Sequence, residues 1–499
     1  MKLSRRSVLA GAGAIGAGAL TTLYAGWNVA DGASEPQSLR IPPLIDARKV
    51  GNAVALRVQS GTTEFFPGRA SASLGYSGSY LGPSIRIYQG DDVEIAVTNM
   101  LKEDTTVHWH GLLIPAELDG GPHQIITPGN VWRPTLPIRQ PAATLFYHSH
   151  VHGRTGVQVY SGLAGLLLVT DEAERALALP SEYGVDDLPV VIQDRQFEDG
   201  LMVVPQGMMT TMQGRRGNTI LANGTPNTTA RVPNRLVRLR LVNGSNARTY
   251  DLSFSDNRAF HWIASEGGLL DRPMSVRSLT LAPGERVEVL VDFSNGHAVS
   301  LKTVPDTNMP MIMGPLAQAR SFAKEILGSQ GTTVLQFDPV GGQGTPGKIP
   351  ERLVERARAD PSKASTRRSF ALGMGMMGME GGMMSGHTGP GGSMVINGRA
   401  FDMNRIDEKV RLGDTEIWEV SGEMMSHPFH IHGVQFEVLS RNGGKPGTRD
   451  GGARDTVLVR EPVELLVRFS QPALKIPFMY HCHILEHEDN GMMGQFATT

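Results

Sequence analysis

One cysteine, Cys482, stands among 499 residues, and aromatic side chains make up only 6% of the chain. A lone thiol excludes an internal disulfide, so Cys482 is either inert packing or a group with a chemical task. Lysine and arginine (47) nearly balance aspartate and glutamate (49), for a net charge of −2. The basic excess of a nucleic-acid binder or of a protein held on an anionic bilayer is missing. Beyond the N-terminus no stretch is long and apolar enough to span a membrane. Glycine (59) and proline (31) are plentiful instead, which suits many short strands joined by turns. The length fits about three domains.

The neighbours of the thiol argue for a task. The chain reads His481-Cys482-His483, followed by His487 and Met492. A thiolate, two imidazoles and a distant thioether are the ligands of a blue copper electron-transfer site. In a strand, Cys482 would face one side and His481 and His483 the other, so one strand would join two metal sites. Three more histidine-rich stretches supply partners: His108-Trp109-His110, His148-Ser149-His150 and His427-Pro428-Phe429-His430-Ile431-His432. Residues i and i+2 of a strand share a face and lie roughly 7 Å apart, close enough to ligate neighbouring ions. Any single pair is weak evidence, and His123, His152 and His387 occur without clear partners.

Together the segments HWHG, HSH, HPFHIHG and HCHILEHEDNGMM, in this order and spacing, resemble the four copper-binding motifs of the multicopper oxidases. The likeness runs from about residue 40 to the end, and implies an all-β fold of three cupredoxin-like Greek-key barrel or sandwich domains. It also implies four copper ions, one type 1, one type 2 and two type 3. The type 1 ion would take His427, Cys482, His487 and axial Met492, with Met493 an adjacent alternative. The type 2 ion would take His108 and His430; the type 3 pair would take His110, His148 and His483, and His150, His432 and His481. Asp119 and Glu488 match acidic positions that serve proton delivery in the family, against the bland reading of a turn residue and a solvated charge.

Within the family, the Met-rich stretch and INGRAFDMNRID look most like the bacterial periplasmic copper efflux oxidases, which oxidise Cu(I). Seven methionines, Met374, Met376, Met377, Met379, Met383, Met384 and Met394, lie among glycines with Glu380 and His387. Thioethers select Cu(I), and glycine-rich sequence offers them little core to fill. Glu423, Met424 and Met425 precede His427, and Glu423 and Met425 would bind the substrate ion, with Glu423 where relatives carry aspartate. The expected reaction is oxidation of Cu(I) coupled to reduction of O2 to water, in a monomer without stable membrane insertion. One alternative is a laccase or bilirubin-oxidase-like enzyme for phenols or other small organic reductants. Another, of a different class, is a copper-free scaffold or division protein of the same fold; such relatives have lost ligands, whereas none is missing here.

The N-terminal SRRSVL before a Gly- and Ala-rich apolar run resembles a twin-arginine export signal, which implies a periplasmic or extracytoplasmic location. The expected domains are a signal over 1–33, a first cupredoxin domain over 40–175 and a second over 188–340. A linker over 341–366 and a third domain over 367–499, interrupted by a Met-rich insertion over 373–394, complete the chain. The histidines of the second domain, His261 and His297, are isolated, so that domain reads as a spacer without copper.

Overall fold

Strands form where apolar residues alternate, and the burial follows the alternation. In Ala53–Phe66 the residues Val54, Leu56 and Val58 are buried between exposed neighbours. The computed structural model describes residues 36–306, 331–375 and 394–499. Residues 1–33, expected to be an export signal, and most of the Met-rich stretch, with Met376, Met377, Met379, Met383, Met384, Glu380 and His387, lie outside the described residues. Among the described residues no helix is long and apolar enough to cross a membrane.

Six sheets make three two-layer sandwiches, each around its own apolar cluster. Each sandwich buries one tryptophan completely: Trp109, Trp262 and Trp418. Removing such a side chain from water is worth on the order of 5 kcal/mol by area, an upper value.

In the first sandwich the five-stranded sheet runs Leu44–Asp46, Ser84–Tyr88, Ala164–Thr170, Ala143–His148, His108–His110. The last two strands are antiparallel, with His148 opposite His108 and Phe146 opposite His110. In the third sandwich the order is Glu408–Val410, Met493–Thr498, Phe478–Cys482, His427–Ile431, Thr456–Val459. There His430 lies opposite His481 and Phe429 opposite Cys482. Directly opposed residues share a face, so the first and third sandwiches each present two histidine motifs side by side. Period-two alternation sends Trp109 and Cys482 into the apolar clusters of their own sandwiches.

In the middle sandwich the strand Leu236–Asn243 alternates arginines with apolar residues, and every residue of it is buried. Arg238 pairs with Glu288 and Glu174, and Arg240 with Asp187, Glu288 and the Thr144 hydroxyl. The charged face is an interface with the first sandwich. Removing one partner from such a buried network leaves an uncompensated charge, at a cost of about 3–5 kcal/mol. The middle sandwich therefore does more than space its neighbours.

Candidate metal centre

The four histidine motifs, distant in sequence, converge where the first and third sandwiches meet. His108 and His432 stack with ring centroids 3.9 Å apart, and His110 and His430 at 3.7 Å. All eight imidazoles of the cluster are buried.

Backbone acceptors fix which nitrogen each ring turns inward. Carbonyl and ionised carboxylate oxygens only accept, so the facing ring nitrogen must donate. Nδ1 of His108 donates to Asp119 O (3.0 Å), of His148 to Ser149 O (2.8 Å), of His430 to Asp455 O (2.9 Å) and of His481 to Cys482 O (3.0 Å). Nδ1 of His432 faces Asp119 Oδ2 at 2.7 Å. The Nε2 atoms of these five rings are thereby left as lone pairs. His432 Nε2 and His481 Nε2 stand 3.1 Å apart, and His150 Nε2 is 3.2 Å from His481 Nε2. The facing lone pairs of His432 and His481 repel, and a cation between them would relieve that repulsion. Nε2 of His108 and His430 and both ring nitrogens of His483 are buried without a hydrogen-bond partner. Unpartnered buried nitrogens are costly, and a bound metal ion removes that cost.

The ionisation state agrees. Burial, reinforced by neighbouring imidazoles, pushes His110, His148, His150, His432, His481 and His483 well below the usual histidine range. Neutral imidazole is the form that ligates metal.

The second region surrounds the thiol. Cys482 Sγ lies 3.5 Å from His427 Nδ1 and 3.6 Å from His487 Nδ1. Here Nε2 is the tied atom: that of His427 donates to Glu423 O and that of His487 to Met212 O, both at 3.2 Å. Burial lowers His427 to about 4 and His487 to about 3, and raises the Cys482 thiol far above its ordinary value. A thiolate in this apolar enclosure requires a cation beside it. Soft sulfur with two imidazoles suits copper. Met492, fully buried, lines a narrow cleft with Met212, Met374, Met394, Glu423, Met424 and Met425, together with His427 and His487. Met424 has φ +67°, a left-handed conformation that costs a non-glycine residue about 1–3 kcal/mol. Met493 lies on the next strand opposite His481 and outside this cleft lining.

The two expected acids sit against the cluster. Asp119 holds His432, and its Oδ1 is buried without a partner. Glu488 Oε1 is 3.3 Å from His150 Nδ1 and Oε2 is 3.2 Å from His481 Nδ1. Burial, with Asp489 beside it, raises Glu488 well above the usual carboxylate range. The strand Phe478–Cys482 ends one residue before His483, yet the alternation continues: His481 and His483 face the cluster and Cys482 the opposite side.

Three groups escaped the sequence reading. Met212, on the helix Met208–Gln213, brings the middle sandwich to the thiol region. Asp455 touches His110 and His430, and Arg286 clasps Asp455. Burial works against ionisation of Asp455, but the Arg286 guanidinium outweighs it and holds the carboxyl well below its usual range. A run of methionines, GMMTTMQ, was a visible hint of Met212; ARDT and GERVEV carry no comparable hint.

Fold and site define a class. Multicopper oxidase profiles match residues 57–174, 189–300 and 375–499, and the chain belongs to the multicopper oxidase family. Among solved structures it is similar to a laccase-like multicopper oxidase, CueO, from Ochrobactrum sp., described as having oxidase activity towards lignin model compounds and lignosulfonate. That likeness has 40% identity and a TM-score of 0.81, over 92% of this chain and 100% of the other. Among curated proteins it is 38% identical to the cell division protein FtsP of Xenorhabdus nematophila, over 100% of this chain and 99% of that protein. It is also 38% identical to FtsP of Escherichia coli K12, over 99% and 98%. These end-to-end relatives correct the expected function. Their name describes division and no oxidation of Cu(I), so the copper-detoxification reading gives way to the division-protein alternative.

Proposed function

We propose that this chain is a division protein of the FtsP kind that has kept a complete oxidase centre, and works outside the cytoplasm after twin-arginine export. The division reading rests on the end-to-end likeness to FtsP. The retained centre rests on one observation, the inward-facing imidazole nitrogens, which a bound cation would reconcile. The centre would hold four copper ions, with His427, Cys482, His487 and Met492 around the first, and His108 with His430 at the second. His110, His148 and His483 would hold the third, and His150, His432 and His481 the fourth.

When bound, copper supplies one-electron acceptance at the thiolate and four-electron reduction of dioxygen to water at the cluster. The residues supply geometry and protons. Glu488, between His150 and His481, holds a proton in a water-poor enclosure, and Asp119 accepts from His432 while keeping one oxygen free. Both would pass protons toward the cluster. Glu423, Met424 and Met425 line the cleft beside His427, and a small organic reductant of the laccase kind would deliver its electrons from outside this cleft.

Two measurements test the two parts. Purified protein should carry four coppers per chain with an intense blue band and consume oxygen with a phenol; colourless, copper-poor protein would refute the retained centre. A strain defective in division through loss of its FtsP should be restored by the chain and by its Cys482→Ser variant. Failure of both would refute the division role.

A further inference from the structure

The middle and third sandwiches meet at a buried charge cluster of their own. The turn 266–267, between the strands Phe260–Ser265 and Gly268–Val276, lies against residues 452–454 of the third sandwich. Gly267 N donates to Ala453 O at 2.8 Å, and Ser265 Oγ to the same oxygen at 2.7 Å. Two glycines allow the approach: a Cβ on Gly267 would stand 2.6 Å from Ala453 Cβ, and one on Gly452, with φ +87°, 2.1 Å from Ser265 Oγ. Backbone bonds in both directions between Arg454 and Phe436, 2.9 and 2.8 Å long, fix the far side of the joint.

Inside it two acids share one guanidinium. Arg454 Nη1 donates to Glu266 Oε1 at 3.3 Å and to Glu285 Oε1 at 3.2 Å. Glu266 Oε1 also accepts from Arg286 N at 3.3 Å, and Glu285 Oε2 from Ala282 N at 2.8 Å. The neighbouring charges are already matched: Arg286 grips Asp455, Arg441 holds Asp450, and Arg449 pairs with Glu461. With both glutamates ionised the enclosure would carry one negative charge in excess, and Glu266 is fully buried. Its Oε2 and Arg454 Nε have no hydrogen-bond partner among the described residues. An ionised carboxylate is costly in that setting, whereas a protonated one is neutral. Burial outweighs the pull of Arg454 and, with Glu285 adding to it, raises Glu266 to about 8.

We propose that Glu266 is a proton-bearing pin between the middle and third sandwiches, and that loss of its proton loosens this joint. The effect reaches the histidine cluster, because Glu285 and Arg454 are followed in the chain by Arg286 and Asp455, and Asp455 touches His110 and His430. The pin itself is independent of copper. In the unfolded chain a glutamate releases its proton near 4.5, so between about pH 4.5 and 8 the unfolded state binds fewer protons than the native one, and stability falls as pH rises.

The test compares the full chain with Glu266→Gln, whose amide stays neutral at every pH. Corrected for the intrinsic exchange rate, amide hydrogen exchange should show protection at Gly267 and Arg454 falling in the wild type between about pH 6 and 9 and staying constant in the variant. The unfolding equilibrium constant of the wild type relative to the variant should rise by up to about 10³-fold from pH 4.5 to 8. An infrared band of a protonated carboxyl, present in the wild type at about pH 6, should be missing from the variant. Equal pH dependence of protection in the two proteins, or an unchanged protonated-carboxyl spectrum in Glu266→Gln, would overturn the proposal. If Glu266→Gln fails to fold, Glu285→Gln decides. With one acid left for Arg454, protection should hold constant over the same range, and a fall like that of the wild type would overturn the pin equally.

Discussion

The thiol region and the imidazole cluster share the same two strands, His427–Ile431 and Phe478–Cys482, yet turn opposite nitrogens inward. Around Cys482 the rings of His427 and His487 tie Nε2 to backbone carbonyls and present Nδ1. On the other face five rings tie Nδ1 and present Nε2. The difference is set by where the fixed carbonyl and carboxylate oxygens lie, since imidazole can satisfy only one acceptor per proton. A second contrast is structural. The thiol region is completed within one sandwich, apart from the Met212 carbonyl, and borders a methionine-lined cleft. The cluster draws equally on two sandwiches and is sealed.

Changing each region separately would break or sharpen this contrast. Cys482→Ser should abolish the blue band completely and remove one copper per chain, leaving the cluster's spectrum; a surviving blue band would mean another thiolate-like ligand. Glu288→Ala should destabilise the fold by about 3–5 kcal/mol, because Arg238 and Arg240 lose their shared buried carboxylate. Denaturant titration gives that value, and cluster copper should be lost before the blue band, since Glu288 also holds Thr144 on the first-sandwich histidine strand.

Glu288 predicts a pH signature too. Burial opposes its ionisation, but Arg238 and Arg240 prevail and lower it to about 2 from an ordinary 4.5. The stability it confers is present above about pH 4.5 and is lost as pH falls toward 2. Melting temperature should drop across that window, less so in Glu288→Gln. Asp119→Asn should slow oxygen consumption with a phenol by about 10²-fold with the blue band intact. Unchanged turnover across pH would remove Asp119 from proton delivery. The smallest effect is expected of Met492→Leu, which conserves volume and should cost less than about 1.5 kcal/mol while raising the reduction potential of the thiol site, read by redox titration of the blue band.

Period-two patterns and the paired histidines made the strands, the all-β class and the grouping of rings legible in the sequence. Alternation alone put Cys482 opposite His481 and His483, as found. What alternation hides is the environment of each face. The arginines of Leu236–Asn243 alternate with apolar residues, and their burial follows from acids supplied by Glu174 and by Glu288 on a neighbouring strand, which the alternation does not show. Asp455, Arg286 and Met212 act through residues hundreds of positions away, and no local pattern signals such partners. The substrate was the least legible of all: methionines beside His427 suggested Cu(I), whereas end-to-end relatives are named for division.

The contact between His110 and Asp455 joins positions 345 apart. Closing so long a loop costs entropy before any contact rewards it. A nascent chain would carry the first two histidine motifs exposed and unguided until the last strands arrive. Chelation of stray metal by those early motifs is then a hazard of the unfinished chain, and folding before delivery across a membrane would confine that hazard to the compartment of synthesis.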